Sequence, residues 1–137
     1  MPTGLTRDAG WEIGVSKTLP LSAAEVWDFL ASPEGVALWL GADGPLPAEK
    51  GAAYVTVDGV RGEVRGYRPG DRIRVTHGST TVQVAVSGAP NGKAVLRFHQ
   101  EHLSSAAERE ERRTHWRAVL ATVEEALSAG AERRRGD

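Results

Sequence analysis

Apolar and polar residues alternate along several short stretches of this chain, and elsewhere apolar residues recur at helical spacing. The first alternating stretch runs from Trp11 to Leu19 and ends at Pro20, which predicts a half-buried strand. Ile73 and Val75 continue the same pattern further on, with arginines at the partner positions. Alternation of this kind predicts five more strands, at residues 52–57, 61–67, 72–77, 80–86 and 94–100.

Short connections join the last five predicted strands. Parallel neighbours need a long crossover, so links of this length predict a meander of antiparallel pairs. One face of the predicted sheet is apolar and the other is mostly polar. The links contain residue pairs typical of hairpin turns, namely Asp58-Gly59, Pro69-Gly70, Gly78-Ser79 and Asn91-Gly92.

Helix signals follow the first strand and return at the end of the chain. Ser22 and Glu25 have the spacing of a capping box, and Ser32-Pro33 predicts the start of a second short helix. A third, long helix is predicted from Ser105, with Gly130 as its stop. Its apolar stripe consists of Trp116, Val119, Leu120, Val123 and Leu127.

These elements predict one α+β domain over residues 10–129, with flexible termini at 1–9 and 130–137. The long helix needs a surface to lie on, and the predicted sheet supplies it. If the sheet curves, the space between sheet and helix can become a cavity. The first turns of the helix, residues 108–113, are highly charged, so we expect them to face solvent or to extend past the sheet.

Composition narrows the class of function. The net charge of −1 gives no electrostatic reason to bind nucleic acid. No apolar run approaches the roughly 20 residues of a membrane span, so we expect no membrane insertion. The start of the chain has no signal-peptide pattern, and we expect a cytoplasmic protein. The absence of cysteine excludes disulfides and cysteine–zinc sites.

Several local motifs, in their order along the chain, resemble the START-like (SRPBCC) superfamily. They are similar to the C-terminal domain of activators of the heat-shock protein 90 ATPase. The motifs span roughly residues 11–128. They are residues 21–27 with Ser32-Pro33-Glu34 and Trp39, then Gly62-Glu63-Val64, Pro69-Gly70-Asp71-Arg72-Ile73 and His115-Trp116.

The resemblance implies the helix-grip fold. In that fold a curved antiparallel sheet, here of six strands, wraps around a long C-terminal helix, and two short helices follow the first strand. It also implies a small hydrophobic or amphipathic ligand, held in a cavity between the sheet and that helix. The eukaryotic co-chaperone has a separate N-terminal domain that this sequence lacks, so a heat-shock chaperone is a doubtful partner. A co-chaperone-like protein-binding module and a homodimer stay open as alternatives.

Eight positions are predicted to surround the cavity. The aromatic side chains would form apolar walls, while His77, Gln100 and the Tyr54 hydroxyl would orient the ligand. Trp116 is predicted to close the cavity floor. The full set is Trp39, Tyr54, Val64, His77, Val84, Phe98, Gln100 and Trp116.

A cyclase- or hydrolase-like enzyme in the same cavity is the main alternative to a binding domain, with His77 as its acid–base group. This alternative predicts that a polar pair, such as His77 with Tyr54 or Glu63, converges in the pocket. The sequence offers no other catalytic set, so binding is the preferred interpretation and no catalytic residue is assigned. We also predict no cofactor and no metal site, because His99 and His102 lack the spacing of helical zinc ligands.

Overall fold

The computed structural model describes residues 5–6, 10–44 and 46–136, which form an α+β domain. The strands are β1 (Leu5–Thr6), β2 (Gly10–Leu19), β3 (Ala53–Val55), β4 (Arg61–Arg68), β5 (Arg72–His77), β6 (Thr80–Ala89) and β7 (Lys93–Leu103). The helices are α1 (Ala23–Ala31), α2 (Pro33–Trp39) and α3 (Ala106–Gly136), with a single 3₁₀ turn at Pro90–Gly92.

The strands form one antiparallel sheet in the order β1-β2-β7-β6-β5-β4-β3. All six predicted strands are present, and the meander from β3 to β7 is confirmed. Two features were not predicted. The short β1 pairs with the start of β2, and β2 lies beside β7, the last strand of the chain. This pairing places β2 and β7 side by side, and α3 packs on both strands.

Serine side chains fix where the helices begin, as the capping signals predicted. The amide of Glu25 donates to Ser22 Oγ at the start of α1. Ser32 accepts in the same way at α2, and Ser105 accepts from the amide of Glu108 at α3. Each cap satisfies an amide that would otherwise lack an intrahelical acceptor.

The core lies between the apolar face of the sheet and α3. Every residue of the predicted stripe, from Trp116 to Leu127, is buried. Cross-strand pairs such as Val84 with Phe98 lie beneath the stripe, and both residues are at most 1% exposed. Apolar surface contributes roughly 25 cal/mol per Å² buried, so these contacts dominate the stability of the domain.

One prediction about α3 is wrong and another holds only in part. The helix does not stop at Gly130 but continues to Gly136. In its charged first turns Glu110 and Glu111 are exposed, as predicted, whereas two arginines lie against the sheet. Arg109 donates from Nε to the carbonyl of Glu12 at 2.8 Å, and Arg112 donates from Nε to Gln100 at 2.8 Å. The helical spacing of Arg109, Arg112 and Trp116 explains this, because the arginines continue the face that carries the stripe.

Within the described residues, no helix is long and apolar enough to cross a membrane. The predicted flexible segment at residues 1–9 falls mostly outside the described residues, and so does residue 137.

Candidate functional site

Aromatic rings fill much of the space between the sheet and the helices. Phe98 on β7 stacks on Trp116 of α3, with ring centroids 4.8 Å apart and planes at 18°. The ring centroid of Trp39, on α2, lies 6.4 Å from that of Phe98. The Trp39 indole donates to the carbonyl of Leu30 at 2.9 Å, which fixes its orientation. The predicted cavity walls are therefore packed largely against each other.

A small cleft of about 150 Å³ remains where α2, the end of β5 and the first half of α3 meet. Its walls combine two indoles with titratable and cationic groups. The lining residues are Leu38, Trp39, Leu40, Asp58, His77, Val82, Arg112, His115 and Trp116.

Gln100 holds the helix side of the cleft in place. Its side-chain oxygen accepts from Trp116 Nε1 at 2.9 Å and from Arg112 Nε at 2.8 Å. Its amide nitrogen donates to the hydroxyl of Thr80 at 3.0 Å. A buried amide with these partners is well satisfied, and it ties α3 to two neighbouring strands. Gln100 is only 3% exposed, so it acts from behind the cleft rather than within it.

Arg112 is the positive charge of the cleft. Its guanidinium carbon lies 5.8 Å from the centre of the Trp116 ring, in a cation–π arrangement. Among the described residues, no carboxylate lies within 4.0 Å of its nitrogens. Burial lowers the pKa of Arg112, while the charges of Glu108 and Glu111 oppose that shift. The group stays charged at neutral pH, as arginine does in proteins.

His77 lies across the cleft and is held by Tyr54. The Tyr54 hydroxyl lies 3.0 Å from His77 Nδ1 and donates to the carbonyl of Thr76 at 2.5 Å. The two rings are stacked, with planes at 11° and centroids 6.3 Å apart. Of the polar pair that the enzyme alternative predicted, His77 lines the cleft and Tyr54 contacts it from behind. Glu63, the other proposed partner, forms an ion pair with Arg65 at the surface instead.

Burial and the positive charge of Arg112 lower the pKa of both cleft histidines, so both are neutral at neutral pH. Burial lowers the pKa of His77 and the charge of Arg112 lowers it further, although Asp58 acts in the opposite direction. The pKa of His115 is also lowered, by partial burial and by Arg112 and His77. Hydrogen bonding from Thr56 lowers the pKa of Asp58, which therefore stays ionised at the mouth of the cleft.

The structure brings three of the eight predicted positions to the cleft surface, namely Trp39, His77 and Trp116. Tyr54 and Gln100 lie behind it and contact its polar groups, and Phe98 lies behind the indoles. The remaining two positions, Val64 and Val84, are fully buried in the core.

Sequence reasoning missed Arg112, Asp58 and His115 as cleft residues. Arg112 could have been found, because it precedes Trp116 by four residues and so shares its helix face. Asp58 belongs to a turn, and its position depends on how β3 and β4 pair. No sequence signal indicated that this turn would reach α3.

Two hollows on the sheet are larger than the cleft, but fewer titratable groups with shifted pKa values line them. One, of about 290 Å³, lies on the outer sheet face beside Gly14 and His99. The other, of about 350 Å³, lies at the β3 edge around Val55 and Gly62. Polar groups with shifted pKa values and apolar walls together are typical of functional sites. That combination makes the smaller cleft the candidate site.

The fold is that of a START-like helix-grip protein, as the motif resemblance predicted. No protein-family model matches the sequence, and no curated protein matches it. Solved structures do. DynU16, from the dynemicin biosynthetic locus, is 21% identical over 87% of this chain, with a TM-score of 0.72. The chain spans 48% of DynU16, about half of its length.

Two further structures match over most of their own length. CalU16 from Micromonospora echinospora is 17% identical with a TM-score of 0.73, and the match covers 93% of this chain and 84% of CalU16. The Aha1 dimer from Colwellia psychrerythraea is 16% identical with a TM-score of 0.66, over 85% of this chain and 95% of that protein. At such identities the likeness establishes the shared fold.

Proposed function

We propose that this chain binds a small amphipathic molecule with an acidic head group in the cleft between α2, β5 and α3. The apolar body of the ligand lies against Trp39 and Trp116. Its carboxylate, or a comparable anionic oxygen, lies on Arg112. This proposal keeps the ligand between sheet and last helix, where the superfamily resemblance implies it, but makes the ligand smaller and more polar at one end.

The observation that carries the proposal is the state of Arg112. Its Nε is held by Gln100, and its terminal nitrogens have no hydrogen bond to another described residue. A guanidinium that is partly buried and positioned in this way offers two parallel donors to a carboxylate. Burying a charge without a partner is costly, and an anionic ligand would offset that cost.

The size of the cleft limits the ligand. Sites for drug-sized molecules usually measure roughly 300–1,000 Å³, whereas this cleft measures about 150 Å³. One or two fused rings would fill it. The indoles of Trp39 and Trp116 in the lining favour an aromatic ring over a branched aliphatic chain, because aromatic groups attract one another in edge-to-face as well as stacked contacts.

We expect 1-naphthoate to bind saturably and Arg112→Met to weaken that binding at least roughly tenfold. A hydrogen bond to a charged group contributes about 1.5–3 kcal/mol, and 1.4 kcal/mol corresponds to a factor of ten. Methionine keeps most of the apolar stem. Isothermal titration calorimetry on the purified chain measures the effect.

Arg117→Met is the matched control, because Arg117 is exposed on the same helix and outside the cleft. We expect its affinity for 1-naphthoate to equal that of the wild type. The neutral analogue 1-naphthamide should bind the wild type more weakly than the acid does. Equal affinity of the wild type and Arg112→Met, or no saturable binding of 1-naphthoate, would contradict the proposal.

A further inference from the structure

We propose that His77 is a general base that removes a proton from the molecule bound in the cleft, so that the site catalyses proton transfer as well as binding. The inference rests on the proposed function, since the cleft must first hold a ligand. It concerns a different group, on the opposite wall from Arg112.

The hydrogen bonds of Tyr54 fix the tautomer of His77. A backbone carbonyl can only accept, so the single hydroxyl proton of Tyr54 points to the carbonyl of Thr76. The Tyr54 oxygen is then the acceptor for His77, and Nδ1 carries the ring proton. The lone pair of the neutral imidazole is therefore on Nε2. This nitrogen forms no hydrogen bond to another described residue.

The contact with Tyr54 orients His77 as a catalytic base requires. A base needs a third group that holds its ring in the correct tautomer and accepts from its second nitrogen. Tyr54 takes that role here, and burial raises the pKa of its hydroxyl, so the phenol keeps its proton. The ring edge that Tyr54 does not use is the edge available to a ligand in the cleft.

The charges around His77 suit proton abstraction. Three groups face the ring. Arg112 and His115 belong to α3, and Asp58 belongs to the turn after β3. Tyr54 of β3 contacts it directly. Arg112 favours the neutral ring before reaction. Asp58 stabilises the imidazolium that forms afterwards, and Arg112 then stabilises the negative charge that develops on the ligand.

The chemical class that fits is a small aromatic or enolisable compound with an acidic C–H bond near an oxygen that can accept charge. The C–H bond breaks, its proton moves to His77 Nε2, and its electron pair moves toward the oxygen beside Arg112. Return of the proton to another atom of the same molecule makes the net reaction an isomerisation. No oxidant, reductant or co-reactant is needed.

A direct test uses 5-nitrobenzisoxazole, a flat bicyclic probe that reports a base in an apolar site. Removal of its ring C–H proton breaks the N–O bond and yields a single product, a coloured nitrophenolate that carries the new nitrile group, and its absorbance measures the rate. We expect the wild type to exceed the buffer rate with saturation. His77→Gln, which keeps a hydrogen-bonding partner for Tyr54 but has no basic nitrogen, should reduce the protein-dependent rate at least roughly tenfold.

Controls separate the base from other histidines and from folding. His99→Gln changes a histidine on the outer sheet face and should leave the rate unchanged. Burial and the charge of Arg112 lower the pKa of His77, so the wild-type rate should fall only when the pH is taken below the ordinary histidine value of about 6.5. Near-UV circular dichroism of each variant verifies that it is folded.

Two outcomes would overturn the inference. They are a wild-type rate no faster than buffer, and a rate unaffected in His77→Gln. In the second case, loss of the rate in His115→Gln would assign the base to His115 instead. The 1-naphthoate titration tests binding alone, separately from the rate. Saturable naphthoate binding with only the buffer rate would refute His77 as a base and leave the binding proposal standing. Absence of naphthoate binding would refute the binding proposal itself.

Discussion

Replacing Trp116 with alanine should lower the free energy of unfolding by about 4 kcal/mol, since buried tryptophan-to-alanine changes cost roughly 3–5 kcal/mol. Trp116 is 1% exposed and stacks on Phe98. The change removes that stack and also leaves Gln100 with one donor fewer. It further removes the floor of the cleft, so 1-naphthoate binding should be lost even under conditions in which the variant is folded.

Urea unfolding followed by circular dichroism measures this loss of stability. Arg117→Ala is the matched control, because Arg117 is the next residue of α3 and is exposed. Exposed substitutions of this kind usually change stability by less than about 0.5 kcal/mol. A loss below about 1 kcal/mol in Trp116→Ala would show that the aromatic cluster does not anchor the helix.

The second large effect is expected at Gly62, which lies opposite Tyr54 in the sheet. A Cβ atom placed on Gly62 would lie 1.9 Å from the carbonyl oxygen of Thr76 and 2.6 Å from the Tyr54 ring. The same carbonyl accepts the Tyr54 hydroxyl. Gly62→Ala must therefore displace backbone, and overpacking of this kind costs about 1–3 kcal/mol. We expect a loss near the upper end of that range.

Gly66→Ala is a well-matched control for Gly62→Ala. Gly66 lies in the same strand, and an added Cβ would meet no atom within 4 Å. Neither glycine has a positive φ, so strain of the left-handed backbone does not enter the comparison. Gly66→Ala should be neutral or slightly stabilising.

Nitrogen NMR of the His77 ring adds a readout that is specific to the site. Gly62→Ala should displace Tyr54 and so relax the tautomer preference of His77, whereas Gly66→Ala should not. Equal stability of the two variants would contradict the close approach of Gly62 to Thr76.

Much of the fold follows from local patterns. Alternation placed the strands, and hairpin residues such as Asn91-Gly92 specified antiparallel neighbours, because both signals act over a few residues. Serine caps fixed the helix starts for the same reason. The pairing of β2 with β7 joins distant parts of the chain, and no local signal encodes it.

The site was harder to predict than the fold. Trp39, His77 and Trp116, three of the eight predicted positions, line the cleft. The sequence did not show that Trp39, Phe98 and Trp116 would pack together and leave only a small cleft. Charge also misled the prediction for Arg112. A charged helical turn usually faces solvent, yet here Gln100 provides a buried acceptor that holds the guanidinium against the sheet.

The proposed ligand site is the cleft between Trp39, His77 and Arg112. The most direct test follows the four tryptophan indole N–H signals by NMR during titration with 1-naphthoate. Trp39 and Trp116 line the cleft, whereas Trp27 packs on Tyr67 away from it. We predict saturable shifts of the Trp39 and Trp116 signals, with the Trp27 signal unchanged. Unchanged Trp39 and Trp116 signals, or a saturable shift at Trp27 alone, would contradict the account.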